Sequence, residues 1–523
     1  MSCPSGCQGT DWLIKAHPQP QVLYVRKSQN LEPSHSVGPD TGIPTPRPSF
    51  QVNATNPGTD VVAETAACMA SSSLLFQLIY GVTQDPTDAE YAQLLLSHAL
   101  SLMDFAVSAK PYQVYQKAVP AAAKMYGSLD YNDELLWASA WMYRATGNSS
   151  WLDIARQTYN STEKLQNSTL SVDWDNKIGA SYVLMAELTS GNAGFPATSD
   201  AVVWQREAQA YLDSIANLTG DGQLTPGGLL WFPGTSDSNG LIPAQTASLL
   251  LLIYASSVLR PVSKNATTTT EAIRAAQYEH FAINQMDYLF GNNPMNEMYI
   301  IGETANSPKN PAHPGAHGGT QLSQLDQPPQ TMHVLLGAIV GGPNGTDHFD
   351  DNRADWAQSE VALNYNAVYQ SNVARQVMYS LTHPFYYNHT LPPSKVGNKT
   401  TNNNVTSTDS ESIQHTAVIA GSVVAGVVVL AVVALLLWKR KTIKSWTGGK
   451  SKNSSSNPLA VEEIAPPMVV VVGPHALVLG DSSNSSSKNS TLGSTEEDTA
   501  LQNPEQEQRL DSIWSGIKDL QKG

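Results

Sequence analysis

The sequence predicts an all-α fold followed by a single membrane-spanning helix. Three observations predict it. Apolar residues recur at helical spacing in about nine successive stretches, alternating strand patterns are almost absent, and residues 416–438 carry no charge. The chain has 523 residues, enough for one large domain with appendages. Its net charge of −15, with no basic patch beyond a short cluster after the apolar run, argues against nucleic acid as a partner. Only 14% of residues are charged, while Asn, Ser, Thr, Gly and Pro are abundant. That balance suits an ectodomain kept soluble by polar groups and glycans. Cys3, Cys7 and Cys68 supply no metal-ligand set.

Taken in order, GTDWLIKAHP (9–18) reads as the end of a helix stopped by Pro18. Residues 19–60 are rich in Pro and Gly and read as long loops on a helical scaffold. Helices are then expected over 59–80, 89–107, 132–146, 151–162, 177–189, 201–218, 244–259, 271–290 and 359–381. Loops between them are long and carry Gly, Pro, Trp and Asn, where ligand-contacting residues usually sit. Residues 386–415 are polar and aperiodic and read as a glycosylated stalk.

TAVIAGSVVAGVVVLAVVALLLW (416–438) would reach roughly 35 Å as a helix, enough to cross a bilayer. Lys439, Arg440, Lys441 and Lys444 follow, which orients the 439–523 tail to the cytosol and residues 1–415 outward, at the cell surface. Ten Asn-x-Ser/Thr sequons precede residue 410, in keeping with passage through the secretory pathway. The tail reads as low-complexity. Within it, MVVVVGPHALVLG (468–480) is too short to span, and Leu510, Ile513, Trp514, Ile517 and Leu520 form one apolar stripe suited to a partner or membrane surface. The first 18 residues show neither a basic region nor an apolar core of a signal peptide, so the chain reads as starting inside a longer protein.

The densest chemistry lies in FDDNRADWAQSEVALNYNA (349–367). Asp350, Asp351 and Asp355 form an acidic turn, and Glu360 follows at the front of an expected helix. Ala362, Tyr365, Val368 and Tyr369 give that helix a buried face. A carboxyl flanked there by Trp356 and Tyr365 is expected to lose solvent and hold its proton toward neutral pH, as a general acid must. Spacing alone favours the plainer reading, acids placed for the helix dipole.

The pattern aromatic-x-Asp-x4-aromatic-x3-Glu-x-Ala-x3-Asn-Ala resembles the C-terminal active-site signature of glycoside hydrolase family 9, the inverting endoglucanases. Further blocks resemble the same family across roughly residues 9–385: DYNDELLWASAWMYRATGN (130–148), DWDNKIGASYVL (173–184), TPGGLLWF (225–232) and YLFGNNPMNEMYIIG (288–302). The resemblance implies a partial toroid of α-hairpins (six in the family) over 1–385, acting on β-1,4-glucan (cellulose or mixed-linkage) by inversion. It implies Glu360 as general acid, and Asp351 as a residue supporting the acid's loop or binding sugar. Arg353 is expected to pair with one of these acids; a structural turn salt bridge is an equal reading for Asp351 and Arg353. His313 is the expected sugar contact in NPAHPGAHGG (310–319), where Ala312 and Pro314 stand in place of the family's first His and its Arg. Trp231 reads equally as a stacking platform for a pyranose face or as a core residue. Trp137 and Trp141, four apart, read as packing. Asp133, Glu134 and Asp175 resemble positions that hold calcium in some members; no cofactor is required.

Inversion needs a second carboxyl, roughly 6.5–9.5 Å from the first, to activate water. In the family it comes from an Asp-Ala-Gly-Asp type motif, which occurs nowhere in these residues. The expectation is therefore an endoglucanase without its general base as written. The other reading is a non-catalytic glucan-binding or wall-sensing surface protein.

Overall fold

The structure, a computed structural model, describes residues 7–27, 48–123, 126–192, 194–263, 267–321, 324–379, 468–472 and 475–479. The stalk, the apolar run at 416–438, the Leu510–Leu520 stripe and most of the tail lie outside the described residues.

The chain opens with α1 (Cys7–Ala16), then β1 (Val22–Lys27) paired antiparallel with β2 (Ser49–Asn53). Sequence periodicity gives only loops at β1 and β2. Next comes α2 (Thr59–Thr83), whose Asp60 accepts the Tyr115 N–H with both carboxylate oxygens. α3 (Pro86–Ser108) has a well-formed start: Asp85 caps the Thr87 N–H at 3.0 Å, and Pro86 occupies the first turn, where no N–H is needed. α4 (Asn132–Thr146) stops at Gly147, whose φ of 65° is the left-handed conformation glycine adopts without cost. α5 (Ser150–Ser161), α6 (Ile178–Thr189) and α7 (Ala201–Ala216) follow. A short hairpin, β3 (Gln223–Leu224) with β4 (Leu230–Trp231), precedes α8 (Leu241–Tyr254), which runs on through Ser263. Then come α9 (Thr270–Leu289), the single turns α10 (Pro314–His317) and α11 (Trp356–Ser359), and α12 (Leu363–Tyr379). Apart from these, β5 (Met468–Val472) pairs antiparallel with β6 (His475–Leu479).

Packing follows chain order. α2 pairs with α3, α4 with α5, α6 with α7 and α8 with α9, while α2, α4, α6, α8 and α12 each lie against the next. The second set forms the interior: every residue of α6 is buried, as are most of α8. A helix apolar on all sides has to be buried so, whereas α5 and α7 keep a polar face for water. Two apolar clusters result, one around α2–α3 and one from α4 to α12, and Trp137, Trp141 and Trp151 pack against both. Trp137 and Trp141 meet edge to face at 5.6 Å, so both are packing residues.

Candidate active site

Glu360 does not start a helix. It follows the single turn α11 and lies on an extended link (φ −62°, ψ 142°) before α12 begins at Leu363. Backbone bonds hold the link from two sides. Ala312 N–H donates to Ser359 O at 2.9 Å within a parallel bridge to Glu360, Gly341 N–H donates to Glu360 O at 3.0 Å, and Gly342 N–H to Gln358 O at 2.8 Å. The approach needs glycine, because a Cβ on Gly341 would lie 2.3 Å from Ala357 O. Two residues into α12, the buried Tyr365 donates its hydroxyl to Glu360 Oε2 at 3.2 Å. Burial raises the Glu360 pKa above the usual carboxylate value, and the Tyr365 bond partly opposes this. Trp356 is 47% exposed, so Tyr365 rather than Trp356 supplies the enclosed surroundings.

Asp351 spends both oxygens on backbone: Oδ2 accepts the Lys309 N–H at 2.8 Å and Oδ1 the Asn310 N–H at 2.9 Å. It thus holds the start of the loop that carries His313. His313 caps α10, its Nδ1 accepting the Gly315 N–H at 3.1 Å, which leaves Nε2 as its free edge. Partial burial lowers its pKa and favours the neutral ring. His317 is fully buried, between the Gly319 N–H and the Leu325 carbonyl, and is structural.

Arg353 departs from expectation. It pairs with none of Asp350, Asp351, Asp355 or Glu360 among the described residues; its guanidinium donates to the Pro328 carbonyl, with Asp326 the acid whose charge reaches it. A cavity of about 600 Å³ beside it is lined by Asn310, Asp326, Asp350, Asp351 and Arg353 among others, but not by Glu360.

Trp231 lies nearer the core reading of the two. It is 6% exposed within the larger apolar cluster, and Cβ atoms on Gly240 and Gly345 would each come within 3.2 Å of its ring. Beside it, Asp347 accepts bonds from Thr225 Oγ1, Gly227 N and Tyr288 Oη, stapling the 225–228 turn to the loop that precedes the acid.

The positions that resemble a calcium site lie near one another, but backbone donors take up the Asp133 and Asp175 oxygens. Asp133 Oδ2 accepts the Lys177 N–H at 2.8 Å, and both Asp175 oxygens accept the Leu129 N–H at 3.1 Å. Glu134 is buried, facing Asp133, Lys177 and Glu64, and burial with the Asp133 charge pushes it up to about 11. The positive charge in this cluster is the Lys177 ammonium, 3.2 Å from Glu64. Among the described residues no three His, Cys, Asp or Glu side chains are grouped to hold a metal ion. The donor set does not fit calcium.

Two residues that sequence reasoning missed belong to the site. Tyr126, 47% exposed, meets the half-exposed Trp174 edge to face at 5.8 Å and lies on the Tyr365 side of the site. Asn239, half-buried just before α8, lies beside the Tyr365 hydroxyl. Neither sits in a pattern that spacing could flag; both arrive from distant parts of the chain.

Residues 8–373 match the family model for glycosyl hydrolase family 9. The chain is 34% identical over 369 residues to Endoglucanase A of Bacillus pumilus, covering 70% of this chain and 52% of that protein. It is 35% identical over 369 residues to Endoglucanase 15 of Arabidopsis thaliana, covering 67% of this chain and 70% of the relative. The chain thus spans about half the length of the Bacillus protein. Among solved structures, the endoglucanase of the termite Nasutitermes takasagoensis superposes with a TM-score of 0.56 at 30% identity, covering 69% of this chain and 75% of the other. Endoglucanase CelQ from Clostridium thermocellum, complexed with cellotriose, gives 0.54 at 27% identity, covering 69% and 54%.

Proposed function

Because the chain belongs to glycosyl hydrolase family 9, we propose that it is an endo-β-1,4-glucanase that cleaves its glucan with inversion. In this reading Glu360 is the general acid that protonates the leaving oxygen. The observation that carries it is the Glu360 carboxyl itself, half-buried, bonded to Tyr365 and fixed on a rigid link, with its pKa raised by burial. Asp351 and His313 act on the loop beside it: Asp351 fixes the backbone, and His313 offers Nε2 to a sugar hydroxyl. The consecutive helix pairs are read as part of an (α/α) toroid. Residues 416–438 are read as the membrane anchor of an ectodomain at the cell surface, with a cytosolic tail after it.

Ala312 and Pro314 stand where two sugar-contacting side chains are expected. That observation favours a second reading, a surface protein that binds glucan without cleaving it. One experiment separates the two. Reducing ends released from barley glucan or soluble cellulose by the full chain are compared with release by Glu360→Gln. Enzyme action requires turnover that falls by about 10² to 10⁴ in the variant. Binding with no Glu360-dependent turnover establishes the second reading instead.

A further inference from the structure

Arg353 keeps one buried donor unused among the described residues. The residue is 5% exposed; Nη2 donates to the Pro328 carbonyl, while Nη1 is buried and finds no hydrogen-bond partner there. A charged donor left in that state is costly, so the position calls for an acceptor. Arg353 also forms part of the wall of the cavity of about 600 Å³, a size that takes small organic ligands. Asp326 and Asp350 stand exposed in that wall, and their carboxylates accept no hydrogen bond among the described residues. Asp351 and Asn310 line it too, but their side chains are already bonded to backbone.

The charges in this wall disfavour two classes of ligand. The carboxylates of Asp326, Asp350 and Asp351 repel an anion that Arg353 would otherwise attract. A metal ion would face a guanidinium that never gives up its charge, and among the described residues no three acidic, histidine or cysteine side chains are grouped to hold one. A neutral ligand that both accepts and donates hydrogen bonds is left, and a sugar hydroxyl does both. Leu325 and Pro329 add apolar surface for the C–H face of a pyranose.

We propose that this cavity is a binding subsite for one pyranose unit, a hydroxyl oxygen accepting from the Arg353 guanidinium and neighbouring hydroxyls donating to Asp326 and Asp350. Glu360 is not in its wall, so the unit held there lies away from the bond that the acid would protonate. The choice of glucose rests on the glucan reading above. That unit has two possible sources: the β-1,4-glucan chain as it passes the His313 loop, or a free short sugar.

Equilibrium dialysis of the full chain against labelled cellobiose and cellotetraose is the test. It is run on Glu360→Gln, so that the sugar stays uncleaved, and it needs no turnover. Loss of the enzyme reading would therefore leave this result standing. Cellotetraose should bind, and Asp326→Ala combined with Asp350→Ala should weaken it at least about tenfold, since both charged acceptors are gone. The two carboxylates make no bonds that the fold could lose, so the double variant should keep the urea midpoint of its parent. Arg353→Lys keeps the charge but not the planar fork and should weaken binding as well. Weakening confined to cellotetraose assigns the subsite to the glucan chain; equal weakening of cellobiose assigns it to a free sugar. Cellotetraose affinity unchanged in the folded double variant overturns the proposal and leaves Nη1 to a buried water. Absence of saturable binding to either sugar overturns it equally.

Discussion

Asp351 and Asn310 bond each other twice: the Asn310 N–H donates to Asp351 Oδ1 at 2.9 Å, and Asn310 Nδ2 donates to the Asp351 carbonyl at 3.3 Å. With the Lys309 N–H on Oδ2, the carboxylate acts as a clasp on the His313 loop. Asp351→Ala should therefore loosen that loop. We expect kcat/KM to fall about tenfold to a hundredfold, less than for Glu360→Gln, with faster amide exchange at Lys309 and Asn310. A loss as deep as that of Glu360→Gln, with unchanged exchange, would instead put Asp351 in the chemistry.

Trp231 gives a prediction of the opposite kind. Its ring fills the space between Gly240 and Gly345 and belongs to the larger apolar cluster. Trp231→Ala should destabilise the fold by about 3–5 kcal/mol while leaving the KM of the folded fraction for cello-oligosaccharides unchanged. Denaturant midpoints and KM measured on the same preparation decide it. Little lost stability with a much higher KM would restore the platform role.

The contrast between these residues shows what the sequence could carry. The helices from Thr59 to Leu289 are legible because 3.6-residue periodicity is a local signal, and Asn132–Thr146 falls where periodicity puts it. The β1–β2 hairpin is not, since its register joins Val22 to Asn53 across a long excursion. The Glu360 signature is legible as a pattern, but its place on an extended link is set by Gly341 and Ala312, remote in sequence. Arg353 was expected to choose a carboxylate close in sequence and instead bonds the Pro328 carbonyl. Backbone carbonyls leave no trace in residue identity. Trp231 is the same word in the sequence whether its face is open or covered; only the packing of Gly240 and Gly345 decides.

Glu297 makes the fold sensitive to rising pH. Burial, and then the Asp351 charge, push its carboxyl from an ordinary 4.5 up to about 7, with Lys309 opposing. A raised folded-state pKa means that the native fold favours the protonated form. The contribution is full below about pH 4.5 and is lost as pH rises through about 7. A shift of that size corresponds to at most ~3 kcal/mol. Urea midpoints at pH 4.5 and 7.5 should fall further apart in wild type than in Glu297→Gln. Equal slopes in the two proteins would remove Glu297 from the account.

His17 and His98 act in the other direction. Their Nδ1 atoms lie 2.8 Å apart and the rings meet edge to face, latching the end of α1 to α3. Thr10 and Asp11 reinforce the same contact through the Tyr91 hydroxyl. His17 Nε2 faces the Pro20 carbonyl, which can only accept, so Nε2 carries the hydrogen and His17 Nδ1 is the acceptor for His98. A first added proton can sit on His98 Nε2 and leave the bond intact. A second must take His17 Nδ1 and break it. Burial lowers the pKa of both rings, with the charge of His98 lowering His17 further. Lowered folded-state values give stability that is full above the ordinary 6.5 and lost as pH falls below it. His98→Phe should cost about 1 kcal/mol at pH 7.5 from the lost hydrogen bond. It should also flatten the decline between pH 6.5 and 5 relative to wild type. Urea melts across that window check both, and an acid limb as steep in His98→Phe as in wild type would mean that protons enter elsewhere.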